Sequence, residues 1–285
     1  MRPTELTRPV AAADAPTLAQ LLELDRVEVD LFRSVTTFDD PQGLYGGQVM
    51  AQALRAASAT VRPGFLAHSL HGYFVRPGDP NQAIVYRVHN DRDGRSYAAR
   101  RVVALQSGDV LLNLSCSFHV REDGPDRQRG LSPDAPRPGE PGVQRVLTRA
   151  VGVEFRDAEP GSDLPSPTRV WVRPSDPFPD DDPNLHACML TYVSDMCTGV
   201  FKLADFDWNV QLTSLDHALW LYRPPTPGWL LLDLAGESVA HGRAHYSGRI
   251  FDESGVLVAG LAQESLFRKI PHRRPHTIIR IPEET

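Results

Sequence analysis

The chain has 285 residues, of which 41% are hydrophobic and 23% charged. This length predicts two domains at about 150 residues per domain, and the apolar runs are shorter than the roughly 18 residues that cross a bilayer. The formal net charge of -6 argues against a nucleic-acid partner, because binding to phosphate backbones needs clustered Lys and Arg. We therefore expect a globular protein that binds neither nucleic acid nor a membrane.

The N-terminal residues and the cysteines indicate a cellular compartment. Residues 1–16 lack the apolar stretch of a secretory signal and predict a short loose tail. Cys116, Cys188 and Cys197 form no CxxC pair and show no spacing typical of a zinc site. We expect reduced thiols, a cytoplasmic location and no bound metal.

A helix followed by four strands is predicted next. From Gly46 onward, apolar residues recur with the i, i+3, i+4, i+7 spacing of a helix that lies on a core. This stripe consists of Met50, Ala53, Leu54 and Ala57. Alternating apolar residues and turn signals then predict strands at 66–75, 83–90, 95–106 and 110–120.

Proline marks the middle of the chain. Twelve of the 25 prolines fall between Arg121 and Pro183. Proline fixes φ and lacks the N–H that a strand donates, so this stretch is neither continuous helix nor central strand. It is interpreted as a linker, in which Val151–Phe155 and Arg169–Arg173 are candidates for short strands.

The second half of the chain repeats the plan of the first. Asp182 predicts an N-cap and Pro183 the first position of a helix over 184–203. Strands are predicted at 208–222, 229–237, 239–251 and 256–268. The connections between successive strands are short, which favours antiparallel pairing and an α+β fold in each half.

Sequence similarity between the halves indicates an internal duplication. Arg76-Pro77 and Arg223-Pro224 each end a predicted strand, and they lie 147 residues apart. Ser107-Gly108 and Ser254-Gly255 each precede an apolar strand, and the same offset separates them. A constant offset over such a span is the signature of a repeat.

Three polar residues of the second copy are candidates for chemistry, although each also has an ordinary explanation. Asp195 lies within the predicted helix with apolar neighbours, where a carboxylate is costly unless it is hydrogen-bonded or faces a wet cleft; it could equally face solvent. Ser214 could be an ordinary strand hydroxyl. Gln263 interrupts an apolar strand, and with Glu264 it could mark the exit of that strand to solvent.

A Ser-His-Asp hydrolase is a competing interpretation, because Ser214, Asp216 and His217 are close in sequence. Residues 216 and 217 point to opposite faces of a regular strand, whereas Ser214 and Asp216 share one face. The GxSxG turn of such hydrolases is absent, as are a P-loop, GxGxxG and HExxH. His68 and His71 are interpreted as structural.

Six motifs, in order along the chain, closely resemble the acyl-CoA thioesterase II (TesB) family. They span about Leu21 to Arg268 and include Tyr45-Gly46-Gly47-Gln48-Val49, residues 68–79, residues 91–102, Tyr192-Val193-Ser194-Asp195, residues 214–220 and Gln263-Glu264. The resemblance implies a double hotdog, in which two antiparallel sheets each wrap around a long helix. It divides the chain into an N-terminal hotdog (1–120), a linker region with the first strand of the second hotdog (121–183) and a C-terminal hotdog (184–285).

The resemblance also implies the hydrolysis of fatty acyl-CoA to free acid and CoA, without metal or organic cofactor. Asp195, Ser214 and Gln263 correspond to the family's residues that orient the attacking water. Ser214 stands where bacterial members commonly have Thr, which offers the same hydrogen-bonding groups. By family analogy we also expect a homo-oligomer and, as oxyanion donors, backbone N–H groups near the start of a helix.

The repeat predicts that only the second copy is catalytic. At the offset of 147, Gln263 corresponds to Cys116 and Ser214 to Ala67, neither of which offers a comparable polar group. Two other functions stay open: an acyl-CoA-binding module without catalysis, and a hotdog dehydratase acting on hydroxyacyl thioesters. A dehydratase relies on a His with an acidic residue, so a His beside Asp195 would favour it.

Overall fold

The computed structural model describes residues 15–40, 43–130, 132–162, 164, 167–179, 181–196, 199–203, 210–225, 227–269 and 278–281. Cys197 and most of the predicted N-terminal tail lie outside these ranges. Cys116 and Cys188 are buried free thiols. No helix in the described ranges is long and apolar enough to cross a membrane.

The first half contains the predicted helix and four strands, preceded by elements that the sequence did not reveal. The long helix begins at Gly46 as predicted, and the residues of its apolar stripe are fully buried. The elements in chain order are α1 (Leu18–Leu21), β1 (Leu24–Glu28), β2 (Leu31–Ser34), α2 (Gly46–Ser58), β3 (Phe65–Phe74), β4 (Val85–Asp93), β5 (Tyr97–Gln106) and β6 (Asp109–Val120).

The proline-rich stretch contains three strands, β7 (Arg145–Thr148), β8 (Val153–Asp157) and β9 (Arg169–Pro174). The second and third confirm the two predicted strands. β9 pairs with β12 (Leu230–Ala240), a strand of the second half. These residues therefore extend the sheet rather than only connecting two halves.

The second half follows the repeat, with two differences from the sequence prediction. The remaining elements are α3 (Pro183–Ser194), a 3-10 helix (Gly199–Lys202), β10 (Val210–Ser214), β11 (Asp216–Leu221), β13 (Arg243–Asp252), β14 (Leu257–Lys269) and β15 (Ile278–Ile281). Asp182 caps α3 and Pro183 is its first residue, as predicted. The helix ends at Ser194 rather than near residue 203, and the strand predicted at 208–222 is interrupted at Leu215.

The described strands form one continuous antiparallel sheet rather than two separate sheets. Its order is β1-β2-β4-β5-β6-β3-β11-β14-β13-β12-β9-β8-β7-β15, and β10 also pairs with β14. β3 pairs with β11, with Leu70 opposite Leu219, so the two repeats meet edge to edge. Along this edge each strand has backbone N–H and C=O groups that need a partner. The pairing of β3 with β11 satisfies them, so that neither strand is left as an exposed edge.

The two long helices pack against each other, and α2 also contacts strands β3 to β6. Their opposite ends meet. Arg55 in the last turn of α2 forms a 2.6 Å ion pair with Asp182, the N-cap of α3. At the other end, the hydroxyl of Tyr45, the N-cap of α2, donates to the backbone oxygen of Asp195 just beyond α3. The candidate residues lie at this second junction.

Candidate active site

Asp195 terminates α3 instead of lying within it. It is the C-cap residue, with φ -85° and ψ 64°, and its side chain is 5% exposed. The expectation of a mid-helix position was wrong because the apolar run after Ser194 continues in sequence without continuing the helix. A carboxylate buried to this degree needs hydrogen-bond donors.

The structure brings the three candidate residues together around this carboxylate. The Ser214 hydroxyl donates to Oδ1 of Asp195 at 2.7 Å, and Nε2 of Gln263 donates to the same oxygen at 2.8 Å. Nε2 of Gln263 also donates to Oγ of Ser214 at 2.9 Å. Gln263 is 1% exposed, so it does not mark the exit of β14 to solvent. Each side chain hydrogen-bonds to both of the others.

A break in the strand aligns this cluster. Ser214 ends β10 and Asp216 begins β11, while the Leu215 N–H donates to Glu264 and its carbonyl accepts from Phe74. One extra residue at this point shifts the alternation of side chains. Ser214 and His217 consequently both contact Gln263, although three residues of a regular strand would point them to opposite faces.

His217 also belongs to the site, although the sequence suggested it only as the histidine of the competing Ser-His-Asp relay. Its side chain is 1% exposed; Nδ1 hydrogen-bonds to Oε1 of Gln263, and Nε2 lies 2.8 Å from Oγ of Ser194. Burial lowers its pKa below the ordinary value of 6.5, which the nearby Asp195 charge and the Gln263 contact partly oppose. Its only sequence signal was a histidine in a buried strand, three residues after Ser214.

The Ser-His-Asp relay is not formed by these residues. The Ser214 hydroxyl donates to Asp195, and the two ring nitrogens of His217 contact Gln263 and Ser194. Oδ1 of Asp216 accepts the backbone N–H of Glu264 at 2.8 Å. The hydrogen bonds of Ser214, His217 and Asp216 therefore differ from those of a Ser-His-Asp relay.

The first turn of α2 packs against the carboxylate. A Cβ added to Gly46 would lie 2.5 Å from Oδ2 of Asp195 and 2.9 Å from the ring of Phe74. At Gly47 it would lie 2.5 Å from the carbonyl oxygen of Tyr192. Glycine permits this close approach, and the N–H groups of a helix start favour a nearby negative charge. This end of the helix can thus stabilise an anion.

The corresponding position in the first copy carries no such cluster. β3 has a register shift between Ala67 and Ser69, 147 residues before the break at Leu215. At this offset Ser214, His217 and Gln263 correspond to Ala67, Leu70 and Cys116, all three of which are buried. The start of α3 is occupied by Asn184, whose side chain bonds the backbone of Ala67 and Phe65. The polar cluster described here has no equivalent at these three positions.

Among the described residues, no group of three or more His, Cys, Asp and Glu side chains is placed so that it could hold a metal ion.

Comparisons with known proteins agree with this organisation. Residues 37–119 match the family model of the acyl-CoA thioesterase N-terminal domain, and residues 121–267 match that of the C-terminal domain. Acyl-coenzyme A thioesterase 8 of Homo sapiens is 29% identical over 283 residues, which is 88% of each chain.

Solved structures show the same relationship. An acyl-CoA thioesterase II of Mycobacterium marinum is 36% identical, with a TM-score of 0.72 over 90% of this chain and 99% of its own. A tesB protein of Mycobacterium avium subspecies paratuberculosis is 30% identical, with a TM-score of 0.76 over 89% and 100%. A hotdog protein of unknown function from Alicyclobacillus acidocaldarius, 19% identical with a TM-score of 0.71 over 90% and 100%, shares the fold. This chain therefore has a hotdog fold and belongs to the acyl-CoA thioesterase II (TesB) family.

Proposed function

We propose that the protein hydrolyses fatty acyl-CoA to free fatty acid and CoA, with Asp195, Ser214 and Gln263 as its catalytic residues. The observation that carries this proposal is the triangle of hydrogen bonds, 2.7 to 2.9 Å long, that joins the three side chains. Family membership independently supports the same reaction.

Asp195 acts as the general base in this mechanism. Two hydrogen bonds on Oδ1 orient the carboxylate and compensate its burial. A water positioned by the cluster transfers a proton to Asp195 while the water oxygen attacks the thioester carbonyl carbon. The carbon–sulfur bond then breaks, the sulfur takes up the proton, and free acid and CoA thiol leave. Holding the water in place contributes the entropic part of the rate enhancement.

The start of α2 is assigned to the oxyanion. Gly46 lies against the carboxylate, so the N–H groups of the first turn of this helix are next to the catalytic base. Backbone N–H groups that are already oriented stabilise developing negative charge without reorganisation. The two copies then supply different parts of the site. The second copy supplies the base and its hydrogen-bond partners, and helix α2 of the first copy supplies the N–H donors for the oxyanion.

We also propose how the whole molecule is organised. Each repeat wraps its part of the continuous sheet around a long helix, with boundaries at 1–120, 121–183 and 184–285. One catalytic site per chain follows from the apolar residues at the first-copy positions. The protein is placed in the cytoplasm, consistent with the unpaired thiols of Cys116 and Cys188, and as a homo-oligomer by family analogy.

A dehydratase is the second candidate, because a histidine does lie beside Asp195. His217 is close enough for the Asp195 charge to affect its pKa. Yet its side chain is 1% exposed, and both ring nitrogens contact protein side chains. A dehydratase histidine has to reach substrate, so this arrangement favours the thioesterase.

One experiment separates these functions. Incubation with acyl-CoA and 3-hydroxyacyl-CoA of varied chain length is followed by free thiol and by enoyl absorbance. Thiol release without an enoyl signal supports the proposal; an enoyl signal alone supports the dehydratase, and neither signal supports a binding module.

Two variants test the assigned base. Asp195→Asn is expected to lower thiol release about 10²- to 10⁴-fold. Asp216→Asn is the matched control, since an amide oxygen also accepts the Glu264 N–H, and its rate should stay near that of the parent. Loss of activity in Asp216→Asn with activity retained in Asp195→Asn would instead support the Ser-His-Asp relay.

A further inference from the structure

The amide of Gln263 has two possible orientations that differ by a 180° flip, and only one suits the cluster. As the structure has it, the NH2 group faces Asp195 and Ser214 while Oε1 faces His217. The flipped amide would place its oxygen 2.8 Å from the Asp195 carboxylate, where two acceptors repel. Asp195 and Ser214 thus favour the first orientation, which in turn leaves the buried Oε1 in need of a donor on its other side.

His217 supplies that donor and so stabilises the same orientation. Oε1 accepts hydrogen bonds only, so Nδ1 of His217 carries the ring hydrogen and donates a hydrogen bond to it. Nε2 of a neutral ring is then an acceptor, and the Ser194 hydroxyl, at 2.8 Å, donates to it. The alternative acceptor for Ser194, the carbonyl of Thr191, is farther away at 3.0 Å. A directed chain of donors thus runs from Ser194 through His217 and Gln263 to Asp195.

The first copy supports a role for His217 beyond packing. At the offset of 147 its counterpart is Leu70, which is 1% exposed on β3. The same architecture therefore accepts an apolar residue at this position. Histidine occurs in the copy that also has Ser214 and Gln263, and leucine in the copy with Ala67 and Cys116. The histidine at this position therefore accompanies the polar cluster and is not required by the fold.

We propose that His217 is a positioning residue, which holds the Gln263 amide with its NH2 group turned toward Asp195 and Ser214. It acts only through Gln263 and does not touch substrate. The inference rests on the proposed function, because the consequence of a misoriented amide is measured as thioester hydrolysis.

Two substitutions distinguish positioning from packing. His217→Asn keeps an N–H donor near the place of Nδ1, whereas His217→Leu copies the residue of the first repeat and has no donor. We expect His217→Leu to lower kcat about 10- to 100-fold with a smaller change in KM, and His217→Asn to recover a substantial part of the loss. Leu219→Val, a buried change in the same strand, controls for disturbance of β11.

A double-mutant cycle gives the decisive readout. If His217 acts through Gln263, His217→Leu costs nothing further in a Gln263→Ala background, whereas independent effects add. Equal losses for His217→Leu in both backgrounds, or a folded His217→Leu as active as the parent, would overturn the positioning role. An inactive parent, or an Asp195→Asn variant as active as the parent, would instead contradict the proposed function itself.

Discussion

The hydroxyl of Tyr45 lies 3.0 Å from the backbone oxygen of Asp195, so the residue that begins one long helix holds the residue that ends the other. The same hydroxyl donates to the carbonyl of Tyr192 at 2.8 Å. The last carbonyls of a helix have no partner within it, and two of them share the single O–H donor of Tyr45 at the point where the chain turns. Asp195 is therefore positioned by its backbone as well as by the donors on its carboxylate.

Replacing Tyr45 by Phe tests this backbone support. We expect Tyr45→Phe to lower the free energy of unfolding by about 1–2 kcal/mol, because buried carbonyl oxygens lose their donor. We also expect kcat to fall several-fold, since the carboxylate of Asp195 is no longer fixed. Urea denaturation and thiol release measure the two effects. Tyr86→Phe is the matched control: its hydroxyl is also buried and donates to Gln52, so stability should fall without loss of activity.

The hydroxyl at position 214 can be tested without changing the rest of the cluster. Ser214→Thr retains the donor to Asp195 and is expected to keep activity within about threefold of the parent, since both residues offer the same groups. Ser214→Ala removes the donor and should lower kcat about 10- to 100-fold. Steady-state thiol release measures both. Equal rates for the Ala and Thr variants would show that the hydroxyl at position 214 does not contribute to catalysis.

Gly46 provides a test of the contact between α2 and the carboxylate. Alanine is normally the better helix former by about 1 kcal/mol, so an exposed Gly46→Ala would stabilise the protein. Here the added Cβ would lie 2.5 Å from Oδ2 of Asp195, which has to move. We expect a loss of kcat of at least about tenfold in a folded protein. Gly124→Ala, with no atom within 4 Å of the added Cβ, is the control.

Much of the architecture could be predicted because the signals are local or repeated. The cap formed by Asp182 and Pro183 and the buried stripe of α2 depend on short spacings, and the offset of 147 identifies the repeat. The shared catalytic role of the three candidate residues came from the resemblance to a family. Their mutual contacts required the structure, because they lie on three separate elements.

The predictions that failed concern places where the local pattern continues but the backbone does not. The apolar run after Ser194 hid the end of α3, and the alternation through Leu215 hid the break between β10 and β11. That break is what turns both Ser214 and His217 toward Gln263. The joining of two sheets into one depends on β3 meeting β11, a pairing between residues more than 140 positions apart that no local pattern indicates.

Cys116 tests the claim that the first copy has no second catalytic cluster of its own. It corresponds to Gln263 in the repeat, and burial raises the pKa of its thiol to about 12. Cys116→Ala is expected to leave kcat within about twofold of the parent, with a loss of roughly 1 kcal/mol in stability from the smaller side chain. In the folded parent this thiol should resist alkylation at pH 8, because the thiolate is the reactive form. A large loss of activity in Cys116→Ala would contradict the assignment of a single catalytic cluster to the second copy.

The pH dependence of stability reports whether His217 is neutral in the native state. Burial lowers its pKa below 6.5, while Asp195 and Asp216 raise it and His71 on the paired strand lowers it further. The unfolded chain then binds a proton near pH 6.5 that the native state does not, so stability falls as the pH drops below that value. The slope from one proton is at most about 1.4 kcal/mol per pH unit, and it vanishes below the native pKa.

The variant His217→Leu lacks this titrating group. Between pH 7 and pH 5 the parent should therefore lose more unfolding free energy than the variant. His68, whose pKa is also lowered by burial, is present in both proteins and cancels in the comparison. Parallel stability curves for the two proteins over this range would show that His217 has no lowered pKa.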